Sequence, residues 1–451
     1  AGRLLQLDRA CVRYRVEDME PLVNRAMLES GLEYAAMQRK AIFEAASSGV
    51  LIITGGPGTG KTTIIKALIR IYESMGCEVA LAAPTGRAAK RMAESTACEA
   101  RTIHRLLEVE FRDEADGDEG ATFARNEHNL LDADIIIIDE ASMIDMFLMQ
   151  ALLAAIRPGA RLVLLGDCDQ LPSVGAGNVL HDLINSGCFN TVRLTEIFRQ
   201  GSESLIVTNA HRINRGEMPV TDARDKDFFF MKREGGALIS TLAEVTAKRL
   251  PATYGVSAFD KIQVITPTRK GAAGTETLNQ LLQAELNPPA KDKAEKKFRN
   301  VVFREGDKVM QIRNNYDLTW DEDGKERFGI YNGDIGVIGK IYDRQSYMMV
   351  SFDGREVKYG FDLLEDLELA YAITVHKSQG SEYPFVVMPV TDFPPMLMTR
   401  NLLYTAVTRA KTMAVLIGRE DALSRMVEND REAVRYTGLC DMLQSAGESH
   451  V

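Results

Sequence analysis

The sequence predicts an α/β protein built on parallel sheets, and three observations lead there. Short β-branched or Leu-rich runs alternate with helix-sized segments along most of the 451 residues, the texture of strands joined by crossover helices. A glycine-rich turn, Gly55-Gly56-Pro57-Gly58-Thr59-Gly60-Lys61-Thr62, directly follows one such run. Another run, Ile135 to Ile138, ends in two adjacent carboxylates, Asp139 and Glu140. At roughly 100 to 200 residues per domain, the length allows about three domains.

Taken in order, the first forty residues read as helical and peripheral. Strands are expected at Val50–Thr54, Val79–Ala83, Ile135–Asp139, Leu162–Gly166 and Thr191–Leu194, and again at Ile262–Thr266, Ala372–Val375, Phe385–Val390 and Ala414–Gly418. These two groups imply two α/β domains. Between Phe298 and Asp366 the texture changes to short alternating strands with hairpin dipeptides, Asn332-Gly333 and Asp353-Gly354. That pattern predicts a small antiparallel β-barrel inserted into the second domain. The polar stretch Asn287 to Phe298 reads as a mobile surface linker. An insertion between Arg105 and Asn129 has an acidic centre, Asp113 to Glu119, expected to be a solvated loop or hairpin tip. The resulting boundaries are 1–37 for the helical lead-in, 38–195 for the first domain, 196–297 and 367–451 for the second, and 298–366 for the barrel. Phe228-Phe229-Phe230 reads as a buried strand, Trp320 as a loop anchor of the barrel, and His211 receives no role.

Composition excludes several classes. Fifty-four Lys and Arg against 64 Asp and Glu give a net charge of −10, the opposite sign to a cationic architectural nucleic-acid binder. No apolar run approaches the roughly 18 residues of a membrane span. Six scattered cysteines without a C-x-x-C pair read as reduced thiols of a cytoplasmic protein. The chain opens Ala-Gly, which suggests a processed or truncated fragment.

The glycine-rich turn satisfies G-x-x-x-x-G-K-[ST] between a strand and a helix, the P-loop context. Its backbone N–H groups and the helix N-terminus suit a polyphosphate, with Lys61 reaching the β- and γ-phosphates and Thr62 a Mg²⁺ ligand. Gly56, Pro57, Gly58, Thr59, Gly60, Lys61, Thr62 and Thr63 form this cradle. Asp139 at the carboxyl end of its strand suits the Mg²⁺ shell, and Glu140 suits polarisation of an attacking water. ATP and Mg²⁺ are therefore the expected ligands.

The motifs "GGPGTGKTT", "IIIIDEAS", "LLGDCDQLPSVGAGNVL", "LTEIFRQ", "ITVHKSQGSEY" and "LLYTAVTRAK" occur in the order found in superfamily 1 helicases. With "APTGRAAKRM", "RTIHRLL", "GTETLNQLLQAELNP" and "FGIYNGDIG", the chain resembles the RecD-type branch of group B, the RecD and TraA relatives, from about Gln38 onward. The resemblance implies two tandem RecA-like P-loop NTPase domains with an SH3-like β-barrel inserted in the second. It implies that Gln38 reads the adenine edge, that Gln170, with Asp167 beside it, senses the γ-phosphate, and that Arg199 and Arg409 approach that phosphate. Glu382 is assigned to the nucleotide ribose or the surroundings of Lys61. Single-stranded DNA contacts are assigned to Pro84, Thr85, Gly86 and Arg87, to Thr102 and His104, to Thr268, Arg269 and Lys270, and to Thr374, His376, Lys377 and Ser378. Hydroxyls and a few cations suit a strand held by its phosphates without base reading.

The function implied is an ATP-dependent DNA helicase and single-stranded DNA translocase, moving 5′ to 3′ and serving repair or recombination. Its substrates would be single strands and tailed or forked duplexes, bound by a monomeric motor without a membrane. In relatives the first-domain insertion forms a strand-separating pin; its acidic tip here should act sterically or stay clear of DNA. The resemblance implies that longer relatives carry an N-terminal region, where partner binding or regulation is expected to reside. The alternatives are a translocating ATPase that does not unwind, stimulated by DNA or RNA, and a motor subunit of a larger nuclease complex.

Overall fold

The computed structural model describes residues 1–110, 122–196, 198, 203–223, 226–322, 325–431 and 435–448, with the backbone alone for Glu110, Thr122, Glu322, Lys325 and Glu448. Arg199 and the acidic centre Asp113 to Glu119 lie outside the described residues. The chain forms two units, residues 1–203 with 433–451, and residues 204–432.

In the first unit the strands are β1 (Val50–Gly55), β2 (Val79–Ala83), β3 (Arg101–Thr102), β4 (Val109–Glu110), β5 (Thr122–Phe123), β6 (Ile135–Ile138), β7 (Arg161–Gly166) and β8 (Asn190–Leu194). Six of them build a parallel sheet in the order β3-β2-β6-β7-β1-β8. The middles of its central strands are apolar runs, Leu51–Ile53, Ile135–Ile138 and Leu162–Leu165, because helices cover both faces. Ile52, Ile136, Ile138, Leu162 and Leu164 enter one core with helices Met146–Ala155 and Val179–Ser186. Leu51, Ile53, Ile135, Ile137, Val163 and Leu165 enter the other with helix Lys61–Ser74. Alternation along each strand thus supplies both cores, each fully buried side chain contributing about 1.5–3 kcal/mol.

Two expectations for this unit need correction. The N-terminal helices, Gly2–Ala10 and Val16–Ser30, are not peripheral. Leu4 and Leu7 join one core and Met19 and Val23 the other, while Asp8 Oδ1 accepts from Gly49 N and Val50 N, both at 2.9 Å. The C-terminal helix Leu439–Glu448, assigned to the second domain, packs in the first unit, because Leu439 and Leu443 are buried with Leu183. In the insertion, β4 and β5 pair antiparallel.

The second unit contains β9 (Phe228–Lys232), β10 (Ile262–Thr266), β11 (Glu295–Phe298), β12 (Val301–Arg304), β13 (Lys308–Gln311), β14 (Asn315–Glu322), β15 (Lys325–Ile330), β16 (Ile335–Tyr342), β17 (Tyr347–Phe352), β18 (Arg355–Gly360), β19 (Leu367–Leu369), β20 (Ala372–Thr374), β21 (Tyr383–Val390) and β22 (Ala410–Gly418). A parallel sheet runs β20-β10-β21-β22-β9. The Phe228 run is therefore its edge strand, with Phe228 fully buried. Inserted between β10 and β20, an antiparallel sheet runs β18-β17-β16-β13-β19, accompanied by the hairpins β11–β12 and β14–β15.

Here too the structure departs from the sequence reading. The supposed linker ends in β11, whose Lys297 pairs with Val302, and Asn287 is buried rather than mobile. Three of its four residues, Glu295, Lys296 and Lys297, are charged, which hid its pairing from a composition argument. Asp353-Gly354 is a two-residue hairpin with both φ positive, whereas Asn332-Gly333 joins β15 to β16, which do not pair. Trp320 anchors the barrel from strand β14 rather than from a loop, with the Arg355 guanidinium 5.0 Å from its ring. Barrel and parallel sheet share one apolar core. They also share a polar hub: Asp307 accepts from Gln283 Nε2 (2.6 Å), Asn287 Nδ2 (2.7 Å), Arg304 N (2.7 Å) and the Tyr371 hydroxyl (3.0 Å).

Candidate active site

The carboxyl ends of the first sheet's strands gather the chemistry-bearing residues of that unit. Gly55 ends β1, and the turn enters helix Lys61–Ser74 through Gly60, whose φ is +82°. A side chain there would collide with Gln38 Nε2, 2.1 Å from the ideal Cβ position. Gln38 is buried; its Oε1 accepts from Ala35 N at 3.0 Å and its Nε2 donates to Gly60 O at 3.5 Å. Thr59 is buried and donates to Gly56 O at 2.8 Å, so its hydroxyl shapes the turn. Lys61 Nζ donates to Gly55 O and, at 3.2 Å, to Gly56 O, folding the ammonium over the turn. Thr62 is exposed and Thr63 half-buried on the helix's first turn.

Asp139 follows β6 and is buried, its N–H donating to Ala82 O at 3.0 Å. Glu140 has φ +54°, a strained conformation for a non-glycine residue. Arg91 Nη2 lies 2.6 Å from Glu140 Oε1 and 3.7 Å from Asp139 Oδ2. Burial, then the charge of Glu140, push the Asp139 pKa up, opposed by Arg91 and Lys61. Gln170 is held by Asp167, its Nε2 donating to Oδ2 at 3.0 Å. The oxygens available at this edge, from two adjacent buried carboxylates, the Thr62 hydroxyl and the buried Ser142 Oγ, which has no hydrogen-bond partner among the described residues, are of the type that suits Mg²⁺.

The remaining residues of this edge follow β2 and β3. Thr85 Oγ1 accepts from Ala88 N at 3.3 Å and Thr102 Oγ1 from Arg105 N at 3.2 Å, so both hydroxyls cap helices and retain their protons for donation. Pro84, Gly86 and Arg87, which flank Thr85 in sequence, are partly exposed. His104 is half-buried with its ring centroid 6.0 Å from that of Phe123. Burial pulls its pKa below the usual histidine value, against the opposing charge of Asp145.

In the second unit the predicted residues separate onto opposite edges of the sheet. Thr266 pairs with Thr374 at the carboxyl ends of β10 and β20, which places Thr268, Arg269 and Lys270 beside Thr374, His376 and Lys377. Glu368 binds two of these cations, Arg269 at 2.5 Å and Lys377 at 2.7 Å. Ser378 does not suit the contact assigned to it, because it is fully buried and donates to Val375 O at 2.7 Å. Glu382 and Arg409 lie at the amino-terminal edge, next to the paired residues Tyr383 and Ala410. Glu382 forms an ion pair with Lys411 at 2.9 Å. Arg409 is buried and donates to Thr405 O (3.1 Å), Ser381 O (3.2 Å) and Thr408 Oγ1 (3.2 Å).

Sequence reasoning missed Arg91, Ser142, Phe198 and Glu368. The spacing of Arg87 and Arg91, four residues apart on one helix, was a usable signal for Arg91. Phe198 touches the turn, its N–H donating to Gly58 O at 3.4 Å. For Glu368 there was no local signal, since its partners are 99 and 9 residues away.

Three family models match the chain: an AAA domain over residues 33–231, an ATP-dependent RecD-like DNA helicase SH3 domain over 278–352, and a UvrD-like helicase C-terminal domain over 369–417. The chain is 36% identical over 408 residues to the ATP-dependent RecD2 DNA helicase of Deinococcus radiodurans, covering 90% of this chain and 52% of that protein. It is 32% identical over 443 residues to the RecBCD enzyme subunit RecD of Mycolicibacterium smegmatis, covering 91% of this chain and 75% of that protein. It therefore spans about half the length of the first relative and three quarters of the second. Among solved structures, a Pif1 helicase from Bacteroides in complex with ADP-AlF3 and ssDNA aligns with a TM-score of 0.52 at 22% identity, covering 93% of this chain and 98% of that one. That likeness shows the fold of two parallel α/β units. Among the described residues no helix is long and apolar enough to cross a membrane.

Proposed function

The chain belongs to the RecD-like family of DNA helicases, and from that premise we propose that it is an ATP-dependent DNA helicase and single-stranded DNA translocase, moving 5′ to 3′ in repair or recombination. The observation that carries this reading is the convergence of Lys61, Asp139, Glu140 and Gln170 on the carboxyl edge of one sheet. A P-loop alone supports nucleotide binding; adjacent carboxylates and a glutamine held by Asp167 add the parts that hydrolysis needs.

In this reading the backbone of Gly56 to Gly60, Lys61 and Thr63 hold the polyphosphate, and Gln38 receives the base. Thr62 and Asp139 would hold Mg²⁺, which supplies charge stabilisation for the transferred phosphoryl group. Glu140 orients the attacking water and accepts its proton, and Gln170 contacts the γ-phosphate. Arg199 and Arg409 supply further positive charge there, which for Arg409 requires exchanging its present carbonyl partners for phosphate oxygens. Glu382 borders the nucleotide. The strand lies along Pro84, Thr85, Arg87, Thr102 and His104 of the first unit and Thr268, Arg269, Lys270, Thr374, His376 and Lys377 of the second.

The deciding experiment is unwinding of partial duplexes bearing a 5′ or a 3′ single-stranded tail, with ATP and Mg²⁺. Unwinding of the 5′-tailed duplex is expected, and preference for the 3′ tail would overturn the direction. ATP hydrolysis stimulated by single-stranded DNA without strand separation would instead identify a translocating motor subunit.

A further inference from the structure

The loop that follows Gln170, residues 171–178, makes no strand or helix, so its carbonyls need donors from elsewhere. Three of them are met by one side chain from the far end of the sequence. Arg435 Nη1 donates to Gly175 O and Gly177 O, both at 2.8 Å, and Nη2 donates to Ser173 O at 2.6 Å. The planar guanidinium reaches several acceptors at once in a way that an ammonium cannot.

On its other side the loop meets the segment that leaves Glu140. Met146 N donates to Ala176 O at 3.0 Å, and an ideal Cβ on Gly175 would stand 2.1 Å from Asp145 Oδ2. Asp145 itself caps helix Met146–Ala155 through Leu148 N at 2.8 Å. The loop is thus clamped between Arg435 and the chain five residues beyond Glu140. Arg435 is in turn held in place: Thr437 Oγ1 donates to Asp182 Oδ2 at 2.8 Å, and helix Leu439–Glu448 buries Leu439 and Leu443 in the first unit.

We propose that Arg435 is a positioning residue for hydrolysis, fixing loop 171–178 so that Gln170 and Glu140 keep their places relative to the nucleotide. This rests on the ATPase reading above. It assigns a role in turnover to a segment that follows residue 417, where the match to the UvrD-like helicase C-terminal domain ends. Among the described residues the hydrogen bonds of Arg435 go to Ser173, Gly175 and Gly177 and to none of the residues assigned to the nucleotide, so its loss should act on turnover and not on binding.

The test compares the whole chain with Arg435→Gln and Arg435→Lys, measuring steady-state ATP hydrolysis with and without single-stranded DNA. Fluorescent ADP titration counts the competent nucleotide sites. Per competent site, Arg435→Gln should lose at least ten-fold in kcat with KM for ATP changed less than about three-fold, and Arg435→Lys should recover part of that loss. Unchanged kcat per competent site in Arg435→Gln overturns the proposal. So does a loss of sites with normal kcat in those that remain, which is the signature of a purely structural clamp. If Arg435→Gln does not fold, the kcat of Arg435→Lys decides by the same criterion. Failure of the wild-type chain to hydrolyse ATP would refute the ATPase reading, a result separate from either outcome for Arg435.

Discussion

Arg91 Nη2 lies 2.6 Å from Glu140 Oε1 and 3.7 Å from Asp139 Oδ2, so a single guanidinium faces both carboxylates at the end of β6 and pairs most closely with Glu140. Charged groups this buried are costly without a partner. Arg91 therefore fixes the carboxylate assigned to the attacking water. Replacing it by Ala should lower kcat for ATP by roughly ten-fold or more while ADP affinity changes little, since general-base positioning acts on turnover. Stopped-flow hydrolysis with fluorescent ADP binding checks this, and an unaltered kcat would remove Arg91 from the site.

Glu368 holds Arg269 and Lys377 together, cancelling positive charge where the strand is proposed to bind. Glu368→Gln should free both cations for phosphates. For single strands each cation contributes about 0.7 to the slope of log affinity against log salt. The variant's slope should steepen by up to about 1.4, read by fluorescence anisotropy across a salt series. A slope equal to that of the wild type would show that these cations do not face the strand.

His104 is held neutral near pH 7, because burial lowers its pKa below the ordinary histidine value. A depressed pKa places the charged form only below that ordinary value, so any stability from keeping the ring neutral is present above it and lost as pH falls. Between pH 7 and 8 His104 then contributes no counterion release. His104→Gln should keep the wild-type salt slope at pH 7.5, whatever it does to affinity. A slope reduced by about 0.7 would mean that the ring is cationic there.

Asp307 collects four donors, from Gln283 of helix Thr275–Leu286 and its C-cap Asn287, from Arg304 N in β12 and from Tyr371 just before β20. Asp307→Ala takes the acceptor from the Tyr371 hydroxyl and from one proton each of Gln283 Nε2 and Asn287 Nδ2, which keep Val302 O and Glu305 O for the other, at about 1–3 kcal/mol for each group left unsatisfied. Urea unfolding should show a loss of roughly 3 kcal/mol or more, with barrel and parallel sheet unfolding together. Separate transitions would show that the barrel is an independent domain.

The strands of both parallel sheets and the helix that follows the glycine-rich turn could be read locally, because buried strands are continuous apolar runs and helix starts have local chemistry. The positions of Lys61, Asp139 and Glu140 could be read for the same reason, since a strand end and its next residues are contiguous in sequence, whereas Gln170 was singled out only by the resemblance. Long-range partners were not. The ion pairs of Arg91 and Glu368, the Asp307 hub, the return of Leu439–Glu448 to the first unit and the clamp of Arg435 on Ser173, Gly175 and Gly177 join residues 20 to 262 apart, save Lys377 at 9 and Arg304 at 3. Such contacts depend on which surfaces the folded sheets bring together. The sequence by itself determined the chemistry available at each strand end; the tertiary structure decided which charges meet, because a long side chain finds its partner by distance in space and not by position in the chain.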